Sequence, residues 1–446
     1  MANTLPPTYD RNGRHPLSPN VDHDEIARFN FLTNLNVHIG QRVSPGNRTA
    51  FENRVSPKYK RETGHPLETR QQVRDAMKKD PFYQCWAALR RNTMEQRQQA
   101  GRHVVLRQLD DLIESAKQHN DGKETLNIDS SAEVPPYLAA VDNHCMPGSY
   151  YTEIVPDDVL AGANYETGLF ITTAGSMSSK GDGGGRSIVN FVRQRFPDFS
   201  PKRILDLGAG IGSNTLPLAE AFPDAEVVAV DAGAPMVRWG HARAQALGYD
   251  NVRFIQADGD SLDLDPNSFD WVQTTMFWHE TSTSAIHGMM EKVHALMAPG
   301  GLFLNVEQPN FTPETSLFDQ FTRDWDAWYN TEPFWSKLHV MDVFDVMKTA
   351  GFSSEKMFDG GTEADIERGQ FQPWSSTVSR HKAESKESGD AKHNAYKGSD
   401  STLPDGMKRV EKSDNKPWYR TSSQTDINNM TDTQKKNYIR TGNKNG

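Results

Sequence analysis

Cysteine is nearly missing from this chain. Cys85 and Cys145 are the only two in 446 residues, too few for a disulfide framework or a thiolate zinc cluster. No apolar run reaches the eighteen residues that a membrane-spanning helix needs. The opening Met1-Ala2-Asn3-Thr4-Leu5-Pro6-Pro7 lacks the apolar stretch of a secretory signal. No two histidines stand at the i, i+4 spacing of a helical metal site. These absences predict a soluble, cytoplasmic protein without a resident metal and without a membrane partner.

Apolar residues are scarce as well. They make up 36% of the chain, and the mean hydropathy is −0.71, so long parts are expected to lie outside any packed core. Residues 1–65 are rich in Pro, Asn, Arg and Thr without sustained periodicity, and residues 383–446 are mostly polar. Both read as tails without fixed structure. Residues 380–446 carry fourteen Lys or Arg against nine Asp or Glu. With a net charge of −10 overall, the tail is +5 and the body −15. A body of that sign repels phosphate and argues against a nucleic-acid partner.

Between residues 67 and 119 the pattern is helical. Phe82, Trp86 and Leu89 fall on one face, and Leu106, Leu109, Ile113 and Ala116 on another, with Gly101 between them. Residues 66–180 read as a helical cap and linker. The linker is glycine-bearing and runs past Tyr165 to Gly185, and Arg186–Phe196 is expected as the helix before the core.

The core announces itself in Arg203-Ile204-Leu205-Asp206-Leu207-Gly208-Ala209-Gly210-Ile211-Gly212. A buried-strand run ends in three alternating glycines, which let the chain turn against a ligand, and a helix follows. Asp231 closes a second apolar run, Val227–Val230, nineteen residues after Gly212. An acid at the carboxyl edge of a parallel sheet can accept both hydroxyls of a ribose. A nicotinamide dinucleotide fingerprint would need a third glycine where Ser213 stands. Strands are expected near 203–207, 226–230, 252–256, 270–275 and 301–306, with helices near 213–222, 235–247 and 283–297. That alternation demands a mostly parallel sheet covered on both faces. One more helix over Val343–Ala350 and strands over Ser353–Phe358 and Trp374–Arg380 complete the pattern.

Asp-x-Gly-x-Gly-x-Gly, then Asp258 in Phe254–Gly259, Phe269-Asp270-Trp271-Val272 and Leu296–Leu304 resembles the class I S-adenosylmethionine-dependent methyltransferases, small-molecule type. The resemblance covers residues 181–382. It implies a Rossmann-like doubly wound α/β fold with a seven-stranded sheet whose last strand is antiparallel. It also implies S-adenosyl-L-methionine as cofactor. Gly208, Gly210 and Gly212 should pass the methionine portion with Asp206 beneath them. Asp231 and Ala232 should meet the ribose, Asp258 and Gly259 the adenine edge, and Thr275 the cofactor from the end of the fourth strand. In relatives a helical segment before such a core forms a lid or a homodimer surface.

The fourth strand runs into Thr275-Met276-Phe277-Trp278-His279-Glu280. In plant-type O-methyltransferases a His followed by an acid holds this place. By that resemblance His279 is the general base for an acceptor hydroxyl, and Glu280 either orients it or binds substrate. Thr281 replaces the aromatic that often follows that pair. Beyond the fifth strand stand Glu307 and a cluster holding Trp325, Trp328, Tyr329, Asn330 and Glu332. With Tyr165, the residues Glu307, Trp325, Asn330 and Glu332 are the candidate substrate contacts, suited to a flat aromatic or a cationic amine. The spacing of Trp325, Trp328 and Tyr329 equally fits a core stripe. A small-molecule O-methyltransferase is the leading expectation. An N- or S-methyltransferase, a nucleic-acid or protein methyltransferase, and a non-catalytic cofactor-binding scaffold are the alternatives.

Overall fold

The computed structural model describes residues 5–361 and 375–380. Eight strands form one sheet. In chain order they are β1 Leu126–Asn127, β2 Arg203–Leu207, β3 Glu226–Asp231, β4 Val252–Gln256, β5 Phe269–Thr275, β6 Met297–Glu307, β7 Phe358–Gly361 and β8 Ser375–Arg380. Their spatial order is β1-β4-β3-β2-β5-β6-β8-β7. The first six are parallel, and β8 inserts antiparallel between β6 and β7. The count exceeds seven because the two-residue β1 pairs with the outer edge of β4, too short a segment to leave a pattern in the sequence. A short 3-10 turn fills Ser354–Lys356, which delays the expected strand at 353–358 to Phe358.

Alternation along the strands builds two cores. Ile204, Val227, Ala229, Trp271, Leu302 and Leu304 face the helices Gly183–Arg195, Thr215–Ala221 and Ala234–Ala246. Leu205, Val228, Val230, Val272 and Phe303 face the helices Thr283–Leu296 and Val343–Thr349. Side chains of period two sandwiched between helices are what a doubly wound sheet requires.

Three helices, Arg70–Met77, Pro81–Leu106 and Leu109–Asn120, occupy the region expected to be helical. Gly101 does not divide them. The helix Pro81–Leu106 runs straight through it, and the glycine serves close packing instead: a Cβ there would lie only 2.6 Å from Asn164 Oδ1 of the neighbouring helix Leu160–Thr173.

The expectation of an unstructured segment over residues 1–65 is corrected. The helix His23–His38 starts in a capping box between Asp22 and Glu25, and helical turns continue through two π-helical stretches to Thr63. Its apolar residues do not all face one way, since Phe31 is exposed, but Phe29 and Leu32 insert between Ala100, Val104, Phe170 and Ile171. Packing supplies what local propensity does not. The polar region 383–446 lies outside the described residues.

Glu166 ties this N-terminal layer to the core. Its carboxylate accepts from Trp239 Nε1 at 2.7 Å, meets His15 Nε2 at 2.9 Å and lies 3.0 Å from Arg243 Nε. Burial pushes its pKa up, but Arg243 and His15 outweigh that and hold it at about 2. A carboxylate depressed from 4.5 to about 2 contributes stability that is complete above pH 4.5 and disappears as the pH falls towards 2. Thermal melts between pH 5 and pH 2 should therefore show a steeper loss of Tm for the wild type than for Glu166→Gln, with the variant less stable at pH 7. Parallel melting curves of the two proteins would refute the assignment.

Candidate functional site

Register determines where the site forms. Leu207 pairs with Val230 and Thr274, Asp231 with Gln256, and Thr275 with Val306. The loops after β2, β3, β4, β5 and β6 therefore emerge at one carboxyl edge, where α/β sheets bind ligands. A cavity of about 560 Å³ opens there, bordered by Gly208, Gly210, Asp231, Thr275, His279 and Glu280 among others.

The turn after β2 is built for close approach. Gly208, Gly210 and Gly212 have φ of +74°, +55° and +77°, a region that a side chain disfavours. A Cβ on Gly208 would lie 2.2 Å from the Phe277 ring. The amides of Gly208 and Ala209 donate to the Val230 carbonyl at 2.9 Å, and the Gly210 amide donates to Asp231 Oδ2 at 2.9 Å. Asp231 Oδ1 accepts from Gly233 N at 2.9 Å. Each oxygen thus keeps a lone pair, enough for the two hydroxyls of a ribose. Burial raises the Asp231 pKa to about 6 against the pull of the Gly233 and Gly210 amides.

Asp206 does not reach the cavity. It is buried beneath the turn, accepts from Thr215 Oγ1 at 2.6 Å, and is raised by burial to about 7. Gly212 likewise stands behind the lining, against Phe254. Ala232 and Gly259 border the cavity, whereas Asp258 turns aside to Tyr137, whose hydroxyl donates to its Oδ1 at 3.3 Å.

At the reacting end, Glu307 gathers four donors. They are the amides of Trp278 at 3.0 Å, His279 at 3.4 Å and Gln308 at 2.7 Å, and His279 Nδ1 at 2.7 Å. This fixes the imidazole with Nδ1 inward. Nε2 is left 3.8 Å from Glu280 Oε1, and Trp335 packs on the ring with centroids 4.3 Å apart. Burial lowers the His279 pKa, but Glu307 and then Glu280 overcome it and lift it to about 9. Glu280 itself accepts from Tyr150 at 2.8 Å and meets His144 Nε2 at 3.1 Å.

Two expected substrate contacts change role. Trp325 is 1% exposed and packs on Trp86 inside a cluster with Tyr83 and Phe321, so its aromatic stripe is core. Glu307 stands behind His279 and orients it. Asn330 and Tyr165 do border the cavity, while Glu332 is wholly buried beside His144. Reasoning from the sequence missed His144, Tyr150, Arg97 and Asn36, which line the cavity from the helical layer. None of them sits in a motif that spacing could flag.

Residues 204–301 match the family model described as a methyltransferase domain. Over 110 residues the chain is 36% identical to a demethylmenaquinone methyltransferase of Thermus thermophilus, covering 25% of this chain and 49% of that one. Over 125 residues it is 30% identical to a ubiquinone/menaquinone biosynthesis C-methyltransferase of Coxiella burnetii, covering 27% and 49%. The chain thus spans about half the length of these curated relatives. The solved phosphoethanolamine N-methyltransferase 2 of Haemonchus contortus, with S-adenosyl-L-methionine bound, is 15% identical with a TM-score of 0.38, over 49% of this chain and 57% of that one.

If Asp231 holds a ribose, its ionised form does so. Affinity for S-adenosylmethionine measured by calorimetry should fall about tenfold per pH unit below 6. Asp231→Asn should weaken binding about tenfold or more at pH 8 and remove that pH dependence.

Proposed function

We propose that this protein is an S-adenosylmethionine-dependent methyltransferase of a small molecule, with an acceptor hydroxyl as the nucleophile and His279 as the general base. The reading is carried by the Glu307–His279 pair, whose Nε2 is turned towards Glu280 at the cavity that the glycine turn and Asp231 also border. When bound, the cofactor supplies an electrophilic methyl carbon on a positively charged sulfur.

The side chains then have separable tasks. Gly208 and Gly210 admit the cofactor's methionine portion, Asp231 takes the ribose hydroxyls, and Gly259 with Ala257 borders the adenine. Glu307 accepts the Nδ1 proton of His279 and thereby selects the tautomer whose Nε2 lone pair is free. His279 Nε2 would take the proton of an acceptor hydroxyl held against the donor's methyl carbon. A sulfonium close by disfavours the imidazolium, opposing the rise that Glu307 causes. Positioning of oxygen, carbon and sulfur accounts for most of the remaining acceleration. In this reading the layer that carries Arg97, Tyr150 and Tyr165 acts as a lid that excludes water.

A second reading, methylation of an amine, is favoured by one observation: Glu280 puts a carboxylate on the same wall, with Glu332 buried behind it beside His144. An amine acceptor needs no strong base.

Turnover separates them once an acceptor is found by incubating host extract with isotopically labelled methyl donor. For a hydroxyl acceptor, His279→Ala should lower kcat about 10²- to 10⁴-fold while donor affinity by calorimetry stays unchanged. Glu307→Gln should fall between that variant and the wild type. Near-normal turnover by His279→Ala would defeat the base assignment.

A further inference from the structure

His279 and Glu307 leave three ionisable groups on the same wall without a task. His144, Glu280 and Glu332 come from distant segments, yet one potential ligand atom of each lies within 4.8 Å of the other two. The His144 ring stands between the carboxylates, with Nε2 3.1 Å from Glu280 Oε1 and Nδ1 2.8 Å from Glu332 Oε1.

The second contact is close but poorly aligned. Neither oxygen of Glu332, which is 0% exposed, has a hydrogen-bond partner, and Nδ1 meets the Asn330 amide at 3.2 Å instead. Alignment decides the matter, because a misdirected N–H leaves the carboxylate's lone pairs unsatisfied. A buried carboxylate in that condition is costly by several kcal/mol. The bordering Arg97 guanidinium makes no hydrogen bond to Glu332, since it donates to Thr172 and leaves its Nε unpaired. The cluster therefore keeps an orphaned polar group inside the protein, beside a histidine and a second carboxylate.

We propose that His144, Glu280 and Glu332 form a divalent-cation site on the acceptor side of the cavity. One imidazole and two carboxylates suit Mn²⁺, Fe²⁺ or Zn²⁺ better than the all-oxygen preference of Mg²⁺ or Ca²⁺. Three protein ligands leave coordination positions open, as in catalytic rather than structural sites. The two loops that bring the ligands are clamped together: Thr331 Oγ1 accepts the Cys145 amide at 3.0 Å and donates to the Asp142 carbonyl. The open positions take the acceptor oxygen, and a hydroxyl bound to a cation loses its proton more readily. That catalytic role rests on the hydroxyl reading above; the binding of the cation does not.

The test is a titration of chelator-stripped, full-length protein with Mn²⁺ alone, with the free aqua ion followed by electron paramagnetic resonance and neither donor nor acceptor present. One equivalent should disappear from the free signal. Glu332→Gln and Glu280→Gln, which keep side-chain volume, should each weaken binding about tenfold or more with circular dichroism unchanged. No stoichiometric uptake by the wild type, or uptake by both variants as tight as the wild type's, overturns the site. Should Glu332→Gln fail to fold, the visible bands of Co²⁺ bound to the wild type and lost in Glu280→Gln decide the question, and their absence from the wild type is equally fatal. Asp231→Asn keeps the two proposals apart, because it should lose donor affinity while retaining Mn²⁺.

Discussion

The hydrogen bond from the Gly210 amide to Asp231 joins two chain segments that are neighbours only because β2 and β3 run parallel in register. It orients the glycine turn, and it points the carboxylate along the sheet edge where a nucleoside can reach it. The left-handed conformations at Gly208, Gly210 and Gly212 are tolerable because the amides of Gly208 and Ala209 are anchored on Val230. Asp206 and Thr215 complete the support from below. A turn so constrained is formed before any ligand arrives, which lowers the entropy that binding must overcome.

The opposite wall follows another logic. Its acids are not interchangeable, although Glu280, Glu307 and Glu332 lie within one small region. Glu307 is saturated by four donors and serves geometry. Glu280 is shared between Tyr150 and His144 and faces the cavity. Glu332 is buried with its oxygens unsatisfied. In a low-dielectric interior such differences in partnership, rather than residue type, set what each carboxylate can do.

Much of the core was legible in the sequence because each strand is a short apolar run ending in a turn signal. The observed bounds of β2, β3, β4 and β5 fall within about a residue of those expected. The glycines and Asp231 were readable for the same reason: their order along the chain encodes one sheet edge. Illegible features depend on contacts between remote segments. Nothing local marks Glu307 as the partner of His279, and adjacency pointed to Glu280 instead. The spacing of Trp325 fitted both pocket and core, and only packing on Trp86 decides between them. The helix His23–His38 carries apolar residues on more than one side, Phe31 among the exposed ones, and Phe29 and Leu32 are singled out only once Val104 and Phe170 surround them.

The Glu166 junction also bears on synthesis. His15 is made long before Arg243, and the helix Ala234–Ala246 that carries Trp239 and Arg243 cannot pack until the parallel strands on either side of it exist. During translation the leading segment must wait, without its ionic anchor, for more than two hundred residues to leave the ribosome. The apolar contacts of Phe29 and Leu32 with Val104 and Phe170 can form earlier, so the ionic anchor is the last part of that junction to close.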